Sequence, residues 1–134
     1  MKYLLDTNIC IYIIKKKPEN VLKHFKRLKP GSVGISNITV AELYYGVAKS
    51  SKPGENSIAL EEFLHPLSLL PFTKEDAIEY GKIRADLEIK GEIIGAMDLL
   101  IASQAYCNNL ILVTNNEKEF NRIEELQIEN WVLQ

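Results

Sequence analysis

Histidine and cysteine are scarce in this chain, with two of each in 134 residues. His24 and His65 are too few for a histidine-rich zinc site. Cys10 and Cys107 lie in apolar surroundings with no second thiol or imidazole at ligand spacing, so both read as small buried hydrophobes. No apolar run approaches the roughly 20 residues that span a bilayer. Met1-Lys2 leads directly into Tyr3-Leu4-Leu5, too short for the apolar core of a secretory signal. The expectation is a soluble, cytoplasmic protein. Internal repeats, linkers and low-complexity tracts are also missing. What is present is ordinary globular composition, 46% hydrophobic and 25% charged, in a single domain 1–134 long enough to bury a core. With so little nitrogen and sulfur to offer, any metal must be held by oxygen, which points to Mg²⁺ or Mn²⁺.

A net charge of −2 gives no global attraction to nucleic acid. The charge is unevenly spread, however. Lys15, Lys16, Lys17, Lys23, Lys26, Arg27 and Lys29 face the single acid Glu19, and Glu117, Glu119, Glu124, Glu125 and Glu129 face Lys118 and Arg122. The basic stretch is either a phosphate contact or a solvated helix face.

Apolar runs at Lys2–Leu5, Val33–Ser36, Leu67–Phe72, Leu110–Val113 and Gln127–Leu133 read as strands. Pro71 puts the third at an edge or a strand end. Helices are expected at Asn8–Lys15, from Pro18 with Val21, Leu22, Phe25 and Leu28 inward, at Thr39–Val47, at Asn56–Leu67 with Ile58, Leu60, Phe63 and Leu64 inward, from a Thr73 cap to about Lys90, at Ala96–Cys107 and at Lys118–Ile123. Ala77, Tyr80, Gly81, Arg84 and Leu87 share a stripe of the long helix. Pro30-Gly31 signals a turn, Ser50–Gly54 a loop and Gly91–Gly95 a flexible loop. Alternating strands and helices imply parallel βαβ units and an α/β sandwich. Ligands in such folds bind outside the carboxyl ends of the strands. Asp6 and Thr114-Asn115-Asn116 fall there.

Three acids stand out. Asp6 closes an apolar strand in Leu4-Leu5-Asp6-Thr7-Asn8. It would serve as a helix cap, but Thr7 or Asn8 would cap without bringing a charge to a buried strand. Glu42, in Thr39-Val40-Ala41-Glu42, fits a Thr-x-x-Glu capping box; it gains interest only by pointing to the same edge as Asp6. Asp98 lies in Met97-Asp98-Leu99-Leu100-Ile101-Ala102, where a charge is expensive to bury unless paired or metal-bound. Carboxylates gathered at helix starts would raise one another's pKa, and a divalent cation would relieve that repulsion.

With these residues in hand, the chain resembles the PIN-domain ribonucleases of the VapC toxin type. The resemblance rests on Leu5-Asp6-Thr7-Asn8, Ile38-Thr39-Val40-Ala41-Glu42-Leu43, Met97-Asp98-Leu99-Leu100-Ile101-Ala102 and Leu112-Val113-Thr114-Asn115-Asn116 followed by Glu119-Phe120. It covers essentially the whole chain. It implies a three-layer α/β sandwich around a mainly parallel five-stranded sheet. It also implies Mg²⁺-dependent endoribonuclease activity, with Mn²⁺ able to substitute, and a site of Asp6, Glu42 and Asp98. Asp6 and Asp98 would hold metal together with a fourth acid. Where many members carry that fourth acid as an aspartate, this chain has Asn116, so Glu119 is expected to supply the charge with Asn116 assisting. Thr7 and Thr114 resemble the family's supporting hydroxyls. Ser36 either plays a similar part or caps the next helix.

The same resemblance implies a homodimer and a cognate VapB-type antitoxin, in larger assemblies with it, whose tail would offer a basic side chain to the acidic site. Tyr44, Tyr45, Leu60 and Phe63 are candidates equally for a partner surface and for the core. The Glu119-Phe120 and Asn130-Trp131 pattern resembles the branch that cuts initiator tRNA; ribosomal RNA and other tRNAs stay open. An aspartyl-phosphate phosphatase would want a second Asp where Asn8 stands, and a receiver domain would want adjacent acids after the first strand. A PIN-fold nucleic-acid-binding module with a decayed site is the remaining alternative, kept open by Asn116.

Overall fold

Leucine side chains on neighbouring positions of the first strand explain the layers. In a computed structural model describing residues 1–29 and 31–133, β1 (Tyr3–Leu5) lies near the centre of a five-stranded sheet. Successive side chains of a strand point to opposite faces. Leu5 accordingly packs with Ile9, Ile13, Ile35, Leu43 and Trp131 on one face. Leu4 packs with Leu87, Leu99, Ile101 and Phe120 on the other. Leu112 and Val113 of β4 (Ile111–Val113) divide in the same way. A strand buried on both faces must be apolar throughout, which is why these runs do not alternate.

The strand order is β3-β2-β1-β4-β5, every pair parallel. The first face is covered by α1 (Thr7–Lys15), α2 (Glu19–Lys26), α3 (Asn37–Ala48) and α4 (Pro53–Leu64), the second by α5 (Lys74–Lys90), α6 (Ala96–Cys107) and α7 (Glu117–Phe120). The expected three-layer α/β sandwich is therefore observed. β2 (Val33–Ser36) and β3 (Ser68–Leu70) extend the sheet on one side of β1, and β4 and β5 (Ile128–Glu129) on the other. The order thus reverses between β1 and β4, opening a crevice at their carboxyl ends. β3, followed by Pro71, is an edge strand as expected.

Several expected boundaries shift for local reasons. α3 begins at Asn37 because Ser36 accepts a hydrogen bond from the Ile38 N–H (3.0 Å); Ser36 is the cap and the Thr39–Glu42 capping box does not form. α4 starts early, with Pro53 at its first position, where a missing N–H costs nothing. Ile58 of that helix is not inward but 63% exposed, while Leu60 and Phe63 are core. On α5, Ala77, Gly81 and Arg84 are exposed; the stripe facing inward is Asp76, Tyr80, Ile83 and Leu87. Asp76 belongs there because it completes a capping box with Thr73 and accepts from Asn108 Nδ2 (3.1 Å), which removes the cost of burying its charge.

The last strand is shorter than expected. Asn130 turns its amide oxygen back onto the Val132 N–H (3.0 Å), and Trp131 fills the core, stacked on His24 and edge-on to Tyr3. α7 likewise spans only Glu117–Phe120 of the expected 118–123. Pro30 of the expected turn lies outside the described residues, and Gly31 beside it adopts φ +88°. Cys10 is fully buried and Cys107 half-buried. Among the described residues, no helix is long and apolar enough to cross a membrane.

Candidate active site

The crevice begins with Asp6. Its backbone N–H donates to the Val113 carbonyl (3.0 Å), which pins the end of β1 to the end of β4. Its Oδ1 accepts from the Ile9 N–H (2.9 Å), so Asp6 caps α1 after all, in addition to facing the crevice. The carboxyl is almost fully buried. Burial pushes its pKa up and the Glu42 charge adds to this, while hydrogen bonds from Thr114 and the Ile9 N–H pull the other way.

Glu42 reaches the same edge from α3. Freed from any capping duty, its Oε1 accepts from Thr7 Oγ1 at 2.7 Å. Thr7 thus ties the start of α1 to the second turn of α3. Thr114, at the end of β4, is fully buried, and its Oγ1 accepts from the Asn116 N–H (2.9 Å), shaping the turn into α7.

Asp98 enters from the other side. Gly95 caps α6, leaving Asp98 in the first turn, where the helix dipole favours negative charge. That benefit is outweighed. Burial, a hydrogen bond and charge from Glu119, and the charges of Asp6 and Glu42 together push the Asp98 carboxyl up to about 7. Asp98 and Glu119 thus face each other on this side of the crevice. Glu119 is itself tethered twice: Oε1 accepts from the Gly95 N–H (3.0 Å) and Oε2 from Asn116 Nδ2 (2.8 Å). Glu119 and Asn116 are therefore tied into one unit at this corner, the Asn116 amide orienting the carboxylate.

All seven residues expected at the site, Asp6, Thr7, Glu42, Asp98, Thr114, Asn116 and Glu119, meet at this crevice. Gly95 was not anticipated. A Cβ there would lie 3.5 Å from Asp98 Oδ2 and 3.7 Å from Glu119 Oε1, in ordinary van der Waals contact with both carboxylates, so the position borders the site directly. Its signal in the sequence was a glycine immediately before a helix.

None of the described ion pairs involves Asp6, Glu42, Asp98 or Glu119. Among the described residues, then, no cationic side chain pairs with these four acids, and the atoms they offer a metal are oxygens. Such a set suits Mg²⁺ or Mn²⁺. Among the described residues, no three His, Cys, Asp or Glu side chains form a tight metal cage. Mg²⁺ does not need one, because it binds through one or two carboxylates and keeps several waters. The Cys10 thiol nearby is held well above its ordinary pKa, by burial first and by Asp6 and Glu42 next, so it offers no thiolate.

Comparison with known proteins agrees with this geometry. A PIN domain family model matches residues 3–126. Ribonuclease VapC2 of Haemophilus influenzae is 46% identical over 132 residues, 98% of this chain and 99% of that protein. The tRNA(fMet)-specific endonuclease VapC of Salmonella typhimurium is 43% identical over 131 residues, 98% of each. The crystal structure of VapBC2 from Rickettsia felis bound to a promoter DNA fragment contains a chain 48% identical to this one. That chain superposes with a TM-score of 0.91 over 98% of this chain and 99% of its own length. A crowded carboxylate crevice at the switch point and likeness along nearly the whole length lead to one assignment: the chain belongs to the PIN-domain family, among the VapC ribonucleases.

Proposed function

We propose that this protein is a Mg²⁺-dependent endoribonuclease, with Mn²⁺ able to substitute. It would act as the toxin of a toxin–antitoxin pair and block translation by cutting a structured RNA. The observation that carries the reading is Asp98. Its carboxyl, raised to about 7 by burial and by Glu119, Asp6 and Glu42 gathered at one crevice, supports a cation as the missing counter-charge.

Asp6, Asp98 and Glu119 would hold the cation. When bound, it would supply Lewis acidity at the phosphodiester and make water a competent nucleophile near neutral pH. Glu42, steadied by Thr7, would orient the attacking water and take its proton. Asn116 and the Gly95 N–H hold Glu119 in position, and Thr114 fixes the turn that carries Asn116. Misplacing such groups by even an ångström is costly in rate, and these tethers prevent it.

Initiator tRNA is the substrate we favour, supported by the tRNA(fMet)-specific relative at 43% identity. A VapB-type antitoxin is the partner we favour, supported by the likeness to VapBC complexes; a basic side chain from it would meet the same uncompensated acids. A homodimer completes the reading. The test is induction of the chain in growing cells with mapping of new RNA 5′ ends, beside cleavage of total tRNA by the purified, partner-free protein. The reading predicts growth arrest and discrete new ends in one tRNA, lost with Asp98→Asn. No cleavage with Mg²⁺ or Mn²⁺, or undiminished cleavage by Asp98→Asn, would sink it.

A further inference from the structure

The basic stretch remains unexplained by the site. Lys15 ends α1, Lys16 and Lys17 form the turn into α2, and Lys23, Lys26 and Arg27 lie along α2 while Val21, Leu22 and Phe25 face the core. All six cations are exposed. Among the described ion pairs none involves them, whereas Lys82, Arg84 and Lys90 of α5 each meet a carboxylate. Lys15 and Lys16 close α1, and Lys23, Lys26 and Arg27 close α2, where cations complement the helix dipoles; two such ends meeting at one corner concentrate the positive charge there. Lys16 holds φ +61°, a left-handed position that ends α1 and turns the chain into α2.

This corner is connected to the site. Lys15 and Glu42 line one groove of about 340 Å³ between α1, α3 and α4, with Ile11, Ile14 and Gly46 along its wall. Thr7, at the other end of α1, bonds Glu42. Nine helical residues separate the two ends by about 13 Å, so Lys15 at the far end of α1 stands a helix length from Thr7 and the carboxylates it faces. An acidic catalytic crevice repels a polyanion. A protein of net charge −2 that grips RNA therefore needs a local positive surface near the crevice but outside it.

We infer that the α1–α2 corner, from Lys15 to Arg27, is a phosphate-binding ridge that grips the RNA backbone flanking the cut. This rests on the ribonuclease reading, and the experiment separates the two. The protein and a combined Lys15→Gln, Lys16→Gln, Lys17→Gln variant are titrated with fluorescent total tRNA in EDTA across a salt series, so that binding is read without cleavage. Three lost phosphate contacts should weaken binding at least about 10-fold near 0.1 M salt and flatten the log–log salt slope by about 2. The matching triple arginine variant should restore both, since charge and not lysine is required. With Mg²⁺, KM for tRNA should rise while kcat stays within about 2-fold, and cleavage of a tetranucleotide too short to reach the ridge should not change. Unchanged affinity and slope in the glutamine variant, with its melting temperature intact, would overturn the ridge. So would a loss that appears only toward an acidic peptide. Failure of the wild type to cut any RNA would count against the ribonuclease reading, while the EDTA titration would still decide the ridge.

Discussion

The two sides of the catalytic crevice hold their acids in different ways. On the β1 and α3 side, each carboxylate has its own donor: the Ile9 N–H and Thr114 serve Asp6, and Thr7 serves Glu42. On the α6 and α7 side, Asp98 and Glu119 face each other, and only Glu119 is supplied with donors, Gly95 and Asn116. Asp98 is left with burial, the hydrogen bond with Glu119 and like charge, and rises to about 7. The first side is thus ordered by the fold itself. The second keeps an uncompensated carboxyl that the proposed cation would neutralise.

The largest effects should come from removing one charge on each side. Asp6→Asn and Asp98→Asn should each lower RNA cleavage by about 10²–10³-fold or more, yet differ in stability. Asp98→Asn relieves repulsion and should raise the melting temperature in EDTA. Asp6→Asn relieves less, because Asp6 already has donors; Asp6→Ala should cost about 1 kcal/mol through the lost cap. Equal melting shifts for the two Asn variants would erase the distinction between the sides.

Next in size is the fourth corner. Glu119→Gln and Asn116→Ala should each reduce cleavage by about 10–100-fold, the usual cost of losing a group that orients a metal ligand. If Asn116→Ala matched wild type while Glu119→Gln were dead, Asn116 would be a mere neighbour. If both matched wild type, the metal-binding role of this side would fail, and a decayed binding module would regain ground.

A pH experiment sharpens the contrast further. The folded Asp98 carboxyl, at about 7, lies above its ordinary 3.8. The fold therefore binds a proton that the unfolded chain gives up, and metal-free stability should fall as pH rises from about 4 through 7. Asp6, raised in the same direction, adds to the trend. Mg²⁺ must displace that proton, so its stabilisation, read as a melting shift, should be larger at pH 8 than at pH 5.5. A shift independent of pH would detach the metal from Asp98.

The smallest expected effect is at Thr7. Thr7→Val removes one hydrogen bond to Glu42, worth about 1 kcal/mol, and should lower kcat roughly 3- to 10-fold with KM little changed. A larger loss would mean that the first side also depends on shared order.

Much of this was legible in the chain. Asp6 and Asp98 announced themselves because apolar flanks leave a carboxylate no cheap reason to be there. The strand runs were readable because a sheet covered on both faces admits only apolar residues at its centre. Glu42 was ambiguous, since a Thr-x-x-Glu pattern looks like a cap until Ser36 takes that duty. The α5 stripe was misread because its buried row includes an acid, Asp76, whose partner Asn108 lies 32 residues away. Gly95 escaped notice because its contribution is a backbone N–H.

By itself, the sequence determined the layers, the order of elements and the delivery of acids to strand ends, because those follow from local periodicity and from short, right-handed connections. Only the tertiary structure decided how the acids share one crevice. The Thr7–Glu42 and Gly95–Glu119 bonds join residues 35 and 24 positions apart. Whether such partners meet depends on how whole helices dock against the sheet, a property of packing that no local pattern encodes. The carboxylates at the crevice mouth could be foreseen one by one; which of them would have donors of their own, and which would be left facing like charge, could not.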